Sequence, residues 1–538
     1  MKKTLALLLA LMMVLACVPA MAEGAVPVFT VGIADKATVV DWNTNRQTLY
    51  IEEKLGVDLQ FTVLPLDKTE RQQKLELMML SGGEDLPDIL IDPGFDMAAM
   101  MQYGDMEMIV PLNDYMEDMP YLYKALEERL MVPISKEEYI RNVTCPDGNI
   151  YALANCANGL NTLLSGQRMM IYRPWLEKLG LEVPHTTDEL LNVLRHFRDD
   201  DPNGNGLKDE VPLVSCTNFL TTMLKALINP FIYYQDNYVA NVDGTLVFNA
   251  EKEEWRTALR YIKQLVDEGL LSPLSFTQDN AQMTAMMTAP TEADVICGAI
   301  SRNSCSNLAA TDPNRETYVL VGTLEGPTGL RQQVYEETTY TPAFVVTKNC
   351  EDVAGAMKIG DYISSTEIST ITRYGWEGDH YRYLPEEEWG ESLMAPFGYV
   401  GKIELHNNIW GTVNNEIWAQ AGPGTGDGTQ VNNELVATQA PGTYNQSIEI
   451  WGGIKKELDW ANTENRVGNM FFTPEEQEVI TEYRSTINDA VSAAIADFVT
   501  GVRDLDKDWD AYVKSLHDMG LDPYMETMQS CWDRMAGK

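Results

Sequence analysis

The chain has 538 residues and a formal charge of −40, from 80 Asp and Glu against 40 Lys and Arg. At roughly 150 residues per domain this length allows two to four domains, or two large ones. The acidity argues against nucleic acid and anionic lipid as partners, because both are held by Lys and Arg. A 45% hydrophobic content with 11 Trp, 24 Tyr and 13 Phe argues against a disordered acidic chain.

Lys2 and Lys3 precede the apolar run Leu5–Ala16, which reads as an export signal and is too short to span a bilayer as a helix. Two endings compete. Ala20-Met21-Ala22 has the small-x-small cleavage pattern and would leave Glu23 as the first mature residue. Val14-Leu15-Ala16-Cys17 has the look of a lipobox and would leave Cys17 lipidated, although Leu15 is large for its position. Nothing later reaches the about 18 uninterrupted apolar residues of a membrane span. Export permits disulfides. Seven cysteines follow Cys17: Cys145, Cys156, Cys216, Cys297, Cys305, Cys350 and Cys531. They contain no CxxC, which argues against zinc. Cys145 with Cys156, and Cys297 with Cys305, are near enough in sequence to pair; buried thiols are the equal alternative.

Val28–Ile33 reads as a first strand, and Val57, Leu59, Phe61 and Val63 alternate as a half-buried second one. Thr69 and Gln72 have capping-box spacing for a helix to about Leu80, stopped by Ser81-Gly82-Gly83. Leu86 to Ile91 starts another strand, so a βαβ unit and a parallel sheet are expected. Asp147-Gly148 is a turn before a short strand, Ile150–Leu153. Thr186 and Glu189 form a capping box ahead of Leu190, Leu191, Val193, Leu194 and Phe197. A helix from Glu251 to Glu268 carries Trp255, Leu259, Ile262 and Val266, and Gly269 ends it. Thr341–Thr347 reads as a strand, and Ala421–Gln446 as a long mobile glycine-rich loop. From Pro474 a helix places Ile480, Tyr483, Ile487, Val491, Ala494 and Phe498 on one face. A last helix groups Trp509, Tyr512, Val513 and Leu516 and stops at Gly520. No internal repeat is visible.

The sharpest motif is Asp201-Pro202-Asn203-Gly204-Asn205-Gly206-Leu207-Lys208-Asp209-Glu210. Oxygen-bearing side chains stand at its positions one, three, five and nine. Gly206 permits a tight turn, and Leu207 offers a backbone carbonyl. Such a loop wraps oxygen donors around calcium, a hard cation that takes six to eight of them. Position twelve is Pro212, so the usual bidentate Glu is missing and Glu210 is the substitute. The bland alternative is an acidic, Asx-rich turn without an ion. The motif lies between a capped helix and the probable strand Val211–Val214, which suits a structural ion at a corner.

With this loop in view, the sequence resembles the extracellular solute-binding proteins of ABC importers. The similarity is to the large bacterial branch of LipO-like lipoproteins and calcium-containing alginate-binding proteins. It rests on Leu86-Pro87-Asp88-Ile89, on Asp147-Gly148-Asn149-Ile150-Tyr151, on the Trp175–Pro184 block and on the Asp201–Glu210 loop. It continues in Gly375-Trp376-Glu377-Gly378-Asp379-His380-Tyr381 and in Asp508–Val513 with Gly520-Leu521-Asp522. The resemblance implies an α/β fold of two lobes, periplasmic-binding-protein-like (type II), with ligand in the interlobe cleft. It implies the following division: a signal peptide 1–22, a first part of the N-lobe 23–152, and mostly C-lobe 153–340 with the calcium loop at 199–210. A return to the N-lobe and hinge follows at 341–400, then mostly C-lobe with the C-terminal helices at 401–538. It implies a structural Ca2+ on Asp201, Asn203, Asn205, the Leu207 carbonyl, Asp209 and Glu210. It implies a carbohydrate ligand, membrane permease subunits as partners, a monomer, and a place outside the cell, secreted or anchored through Cys17. Arg173-Pro174-Trp175 departs from the family, which often has an acidic residue before that Trp.

Sugar rings present flat C–H faces, so a sugar cleft uses aromatic platforms with amides and carboxylates. Trp42, Asn155, Trp376 and Trp410, near strand ends or loops, are the candidate ligand contacts. Core or hinge packing is the competing reading for each. Trp255 and Trp509 lie on amphipathic helices and are expected in the core. No GxSxG, HExxH or GxxxxGK followed by Ser or Thr occurs, and His185, His196, His380, His406 and His517 are scattered. No enzyme is expected. A secreted glycan-adhesion protein and a calcium-dependent polysaccharide-active enzyme stay open as alternatives.

Overall fold

The computed structural model describes residues 26–128, 134–156, 168–302, 317–335, 339–388, 403–407, 411–424 and 457–536, with Cys305, Leu308, Asp312, Asn314 and Ile409 between them. The export signal, Trp410 and the glycine-rich loop beyond Gly424 lie outside these residues. In chain order the strands are β1 (Val28–Ala34), β2 (Asp58–Leu64), β3 (Ile89–Ile91), β4 (Leu153–Cys156), β5 (Met169–Tyr172), β6 (Val211–Val214), β7 (Val239–Val242) and β8 (Thr245–Phe248). They continue with β9 (Cys297–Ile300), β10 (Tyr318–Val321), β11 (Gln333–Val334), β12 (Tyr340–Val346), β13 (Tyr381–Tyr383), β14 (Ile403–Leu405) and β15 (Ala461–Asn462).

The larger strands form two sheets, one in each lobe. The first has the order β2-β1-β3-β12-β4, and the second β10-β5-β9-β6. The β1–β3 stretch is the expected parallel unit: both β2 and β3 pair parallel with β1. Because successive strand residues point to opposite faces, Ile89 and Ile91 enter the core on one side of the first sheet and Leu90 the core on the other. Both faces are covered, so β3 reads as a continuous apolar run. Val63, expected on the half-buried face of β2, is 44% exposed at the end of this edge strand. The second lobe has one large core, which joins β5, β6, β9 and β10 to the helices Thr187–Asp199, Glu253–Asp267 and Pro474–Thr500.

Several helix signals hold. Thr186 and Glu189 make the full capping box, and so do Thr473 and Glu476 ahead of Pro474. One cap is different. The helix Lys68–Leu80 is capped by Asp67, whose carboxylate accepts the Glu70 N–H, two residues before the expected Thr69. A carboxylate also suits the positive end of the helix dipole. The strand expected at Ile150–Leu153 lies at Leu153–Cys156 instead, because its partner β12 begins at Tyr340, opposite Cys156. The helix Trp509–Asp518 stops before Gly520 as expected, but it is not the last: a further helix, Leu521–Met535, follows. Gly520 has φ 99° and its missing side chain leaves room for the Tyr483 ring, so the turn is too sharp for another residue.

Late chain returns to the first lobe. Ile409, Ile417 and Trp418 pack with Trp42 and Phe61, and the fully buried Asn45, Gln47 and Thr48 bind this segment. Asn45 Nδ2 donates to the Ile417 carbonyl at 3.2 Å, Gln47 Oε1 accepts the Trp418 N–H at 2.8 Å, and Trp418 Nε1 donates to Thr48 Oγ1 at 2.9 Å. The seven cysteines from Cys145 to Cys531 are all buried thiols, so neither sequence-near pair is joined.

His517 sits between Asp522 at 2.7 Å and Glu251 at 3.1 Å, and these carboxylates, Asp522 first, raise its pKa. A raised histidine stabilises the fold below its unfolded pKa of about 6.5 and loses that contribution as pH climbs through the folded value. The melting-temperature gap between wild type and His517→Gln is therefore expected to be widest below about pH 6.5 and to narrow as pH rises above it. A gap that stays flat across this range removes the charged pair as its cause.

Candidate functional site

In sheets with parallel strands, ligands bind beyond the carboxyl ends of the strands. At that edge of the first sheet, β1, β2 and β3 run out, and β4 ends on the same side because it is antiparallel to β12. The chain there carries Lys36, Asp92 and Asn155. Arg71, buried behind them, ties the strand ends together: its guanidinium donates to the carbonyls of Pro65 at 2.8 Å, Leu66 at 2.9 Å and Pro93 at 3.3 Å. The Gly422–Gly424 segment lies along the edge. The Gly422 N–H donates to Asp92 Oδ2 at 3.2 Å, Asn155 Nδ2 donates to the Gly422 carbonyl at 3.0 Å, and the Cys156 N–H donates to the Gly424 carbonyl at 2.8 Å.

Two features of this edge are costly for a fold alone. Asp92 has φ 50°, the left-handed region that a non-glycine residue adopts at a price in strain. Burial pushes its carboxyl upward, against the pull of Lys36, whose Nζ is 3.7 Å away, and of the Gly422 N–H. Asn155 Oδ1 is buried with no hydrogen-bond donor. A buried acceptor left unmatched costs about 1–3 kcal/mol, so strain and unmet hydrogen bonding gather where a ligand would enter.

The second sheet presents a matching edge. Val321 pairs with Met169, Met170 with Ile300 and Ile300 with Val214, so Arg168, Ser215, Ser301, Arg302 and Thr323 follow along one side. Ser301 Oγ donates to the Arg168 carbonyl at 2.8 Å, and burial pushes the Arg168 guanidinium down to about 10. The two edges are linked at three places: Cys156 to Arg168, Tyr335 to Thr339, and Gly424 to Glu457. Thr323 donates its N–H to Glu457 Oε2 at 2.7 Å, which fixes the third entry point to the second edge. Tyr335 and Thr339 are four steps apart, a reach of no more than roughly 15 Å. The chain thus passes between the two edges three times, most closely where Tyr335 and Thr339 are separated by three residues. A groove of about 670 Å³ also runs between the helices Met97–Asp105 and Pro474–Thr500, lined by Met101, Gln102, Asp105, Glu478 and Glu482 among others.

Of the sequence-chosen contacts, Asn155 is at the first edge. Trp42 is 3% exposed and packs against Phe61 and Trp418, with ring centroids 6.1 and 6.2 Å away. Trp376 is 8% exposed, with Arg46 stacked 4.4 Å over its ring and its Nε1 donating to the Glu416 carbonyl at 3.2 Å. Both are core residues of the first lobe and not open platforms. Trp410 is outside the described residues. His380 is buried too, and its Nδ1 accepts the Trp376 N–H at 3.0 Å. Sequence reading missed Lys36 and Asp92. The available signal was position: each follows the carboxyl end of a parallel strand.

The Asp201–Glu210 loop has the turns its glycines predict: φ is 46° at Asp201, 73° at Gly204 and 75° at Gly206. Asn203 Oδ1 accepts the Asn205 N–H at 3.0 Å, Asn205 Oδ1 accepts the Leu207 N–H at 2.7 Å, and Asp201 Oδ2 accepts the Gly206 N–H at 3.1 Å. The oxygens therefore turn toward the loop's own centre. Asp201 Oδ1 and Glu210 Oε1 are buried without a donor. Burial raises the Glu210 carboxyl, and the charges of Asp209 and Asp201 raise it further. Crowded, unmatched carboxylate oxygens fit a cation. Among the described residues no three His, Cys, Asp or Glu side chains converge as a metal cluster. An ion here would have to draw on asparagine and backbone oxygens as well, as a hard cation does.

No protein-family model matches the chain. It is 25% identical over 516 residues to the fructooligosaccharide ABC transporter substrate-binding protein FusA of Streptococcus pneumoniae, covering 90% of this chain and 86% of FusA. It is 24% identical to lipoprotein LipO of Bacillus subtilis over 62% of this chain and 63% of that one. The chain is similar to these substrate-binding proteins of ABC transporters.

Solved structures agree with the two-lobed fold of such a solute-binding protein. An extracellular solute-binding protein from Bifidobacterium longum subsp. infantis superposes with a TM-score of 0.74 at 19% identity, covering 96% of this chain and 99% of that one. FusA of S. pneumoniae, as an EF-hand mutant in complex with fructo-nystose, gives a TM-score of 0.65 at 24% identity, over 95% of this chain and all of that one. Among the described residues, no helix is long and apolar enough to cross a membrane.

Proposed function

We propose that the protein captures an oligosaccharide between its two sheet edges and delivers it to the permease subunits of an ABC transporter. The observation that carries this is the first edge itself: an unmatched Asn155 acceptor, a strained Asp92 and Lys36, together at the ends of parallel strands. These are the hydrogen-bonding groups that sugar hydroxyls demand, on strands that hold them rigidly. The substrate-binding relative named for fructooligosaccharides, together with the neighbour solved with fructo-nystose, supports the substrate class. The lobes close on the ligand about the three linking segments, and closure selects it by the contacts made only in the closed form. The export signal read from the sequence supports work outside the cell, secreted or anchored through Cys17.

A structural calcium ion in the Asp201–Glu210 loop is part of this proposal, held by Asp201, Asn203, Asn205, the Leu207 carbonyl, Asp209 and Glu210. The unmatched oxygens of Asp201 and Glu210 support it, and so does a FusA neighbour described by its EF-hand. The ion would neutralise crowded carboxylates and leave the cleft to do the binding.

The test is calorimetry of the full chain with kestose, polygalacturonan oligosaccharides and N-glycans, with turnover followed in parallel. Tight binding of one class without cleavage is expected. Cleavage of a bound glycan ends the receptor reading. Binding of a peptide or small metabolite, with none of any glycan, ends the assignment to oligosaccharides.

A further inference from the structure

We infer that Trp460, backed by Arg331, is the sugar-stacking platform on the second lobe's side of the cleft. This rests on the oligosaccharide reading above. Trp460 is 38% exposed, whereas Trp42, Trp175, Trp255, Trp376, Trp418 and Trp509 are buried. An indole left in water forgoes its large burial energy, so a rigidly held exposed one needs a reason.

It is rigidly held. The Arg331 guanidinium lies 4.2 Å from the centre of the Trp460 ring, and Arg331 Nε donates to the Thr323 carbonyl at 2.8 Å. The next residues pair as a short parallel ladder, Ala461 with Gln333 and Asn462 with Val334. One ring face is therefore backed by a planar cation, which binds well to the electron-rich face of an indole.

It is also in the right place. Thr323 lies two residues past Val321, on the second edge, and Glu457 binds the Thr323 N–H there. Gln333 Nε2 donates to the Glu457 carbonyl at 3.2 Å, and Asn462 Nδ2 donates to Gln332 Oε1 at 2.6 Å. Thr323 Oγ1 is buried with no hydrogen-bond partner. An indole beside amides, a carboxylate and an unmatched hydroxyl is what a sugar ring needs: a flat apolar surface for its C–H face and polar groups for its rim.

The experiment titrates wild type, Trp460→Ala and Trp460→Phe, as full chains, with whichever of kestose, polygalacturonan oligosaccharides or N-glycans wild type binds. Circular dichroism and melting serve as folding controls. Affinity is expected to fall about tenfold or more for Trp460→Ala and to stay within about threefold for Trp460→Phe, which keeps a flat ring. Trp460→Ala with affinity within twofold of wild type overturns this inference and leaves the receptor reading standing. Wild type that binds no glycan overturns both.

Discussion

Trp175→Ala is expected to destabilise the second lobe by about 3–5 kcal/mol, the cost of emptying a large aromatic site in a packed core. Trp175 is 2% exposed. It opens the helix Arg173–Leu179 directly after β5 and meets Phe197 and Tyr172 edge-on, with centroids 5.1 and 5.9 Å away. Gly298 of β9 lets these rings approach the sheet: a side chain there would lie 2.4 Å from Phe197 and 2.9 Å from Trp175. One indole thus joins a strand, two helices and a glycine notch, and neighbours so constrained collapse poorly into a cavity. For a lobe-sized unit, about 2–4 °C per kcal/mol converts the loss to roughly 6–20 °C in the second-lobe transition. Calorimetry should show that transition separating from a first-lobe transition left in place. A drop below about 2 °C would contradict the packing account, and Trp175→Phe should fall between the two.

Calcium is the second large effect. Saturating calcium is expected to raise the melting temperature, and chelation to lower it by the same amount. An ion bound by the native state alone contributes about 2.7 kcal/mol at a hundredfold excess over its Kd. That corresponds to roughly 5–10 °C for the lobe that carries the loop. The effect should be absent in Asp201→Ala, which removes one of the two unmatched carboxylate oxygens and the side chain that accepts the Gly206 N–H. Asn203 and Asn205 now turn amide groups toward Asp209, at 3.4 and 3.2 Å. Those amides offset only part of its charge, so a divalent ion has more to gain than water does. A melting temperature that responds neither to calcium nor to chelator removes the site.

Local sequence chemistry made much of this protein legible. The capping box at Thr186, the Pro474 helix start, the alternation of Leu59 and Phe61, and the apolar stripe from Ile480 to Phe498 depend on neighbours a few residues away, and they appear where expected. The Asp201–Glu210 loop is legible for the same reason, since all its oxygens come from one decapeptide. The cleft was not. Asn155 lies at the first edge, but Trp42 and Trp376 went to the core, because an aromatic near a strand end looks the same in sequence whether its neighbours cover it or not. What covers Trp42 is Trp418, some 370 residues later in the chain. Lys36 and Asp92 carry no motif and become a pair only when β1 and β3 lie side by side.

The sequence by itself determined most of the secondary structure and a candidate ion loop, because each is written in residues that touch along the chain. Tertiary structure alone decided which polar groups share the cleft edge and which tryptophans stay in water. Those outcomes depend on the chain passing between the sheets three times, and so on contacts between residues hundreds of positions apart. No local pattern encodes such contacts, since only the packed whole says which side of each strand end is left open.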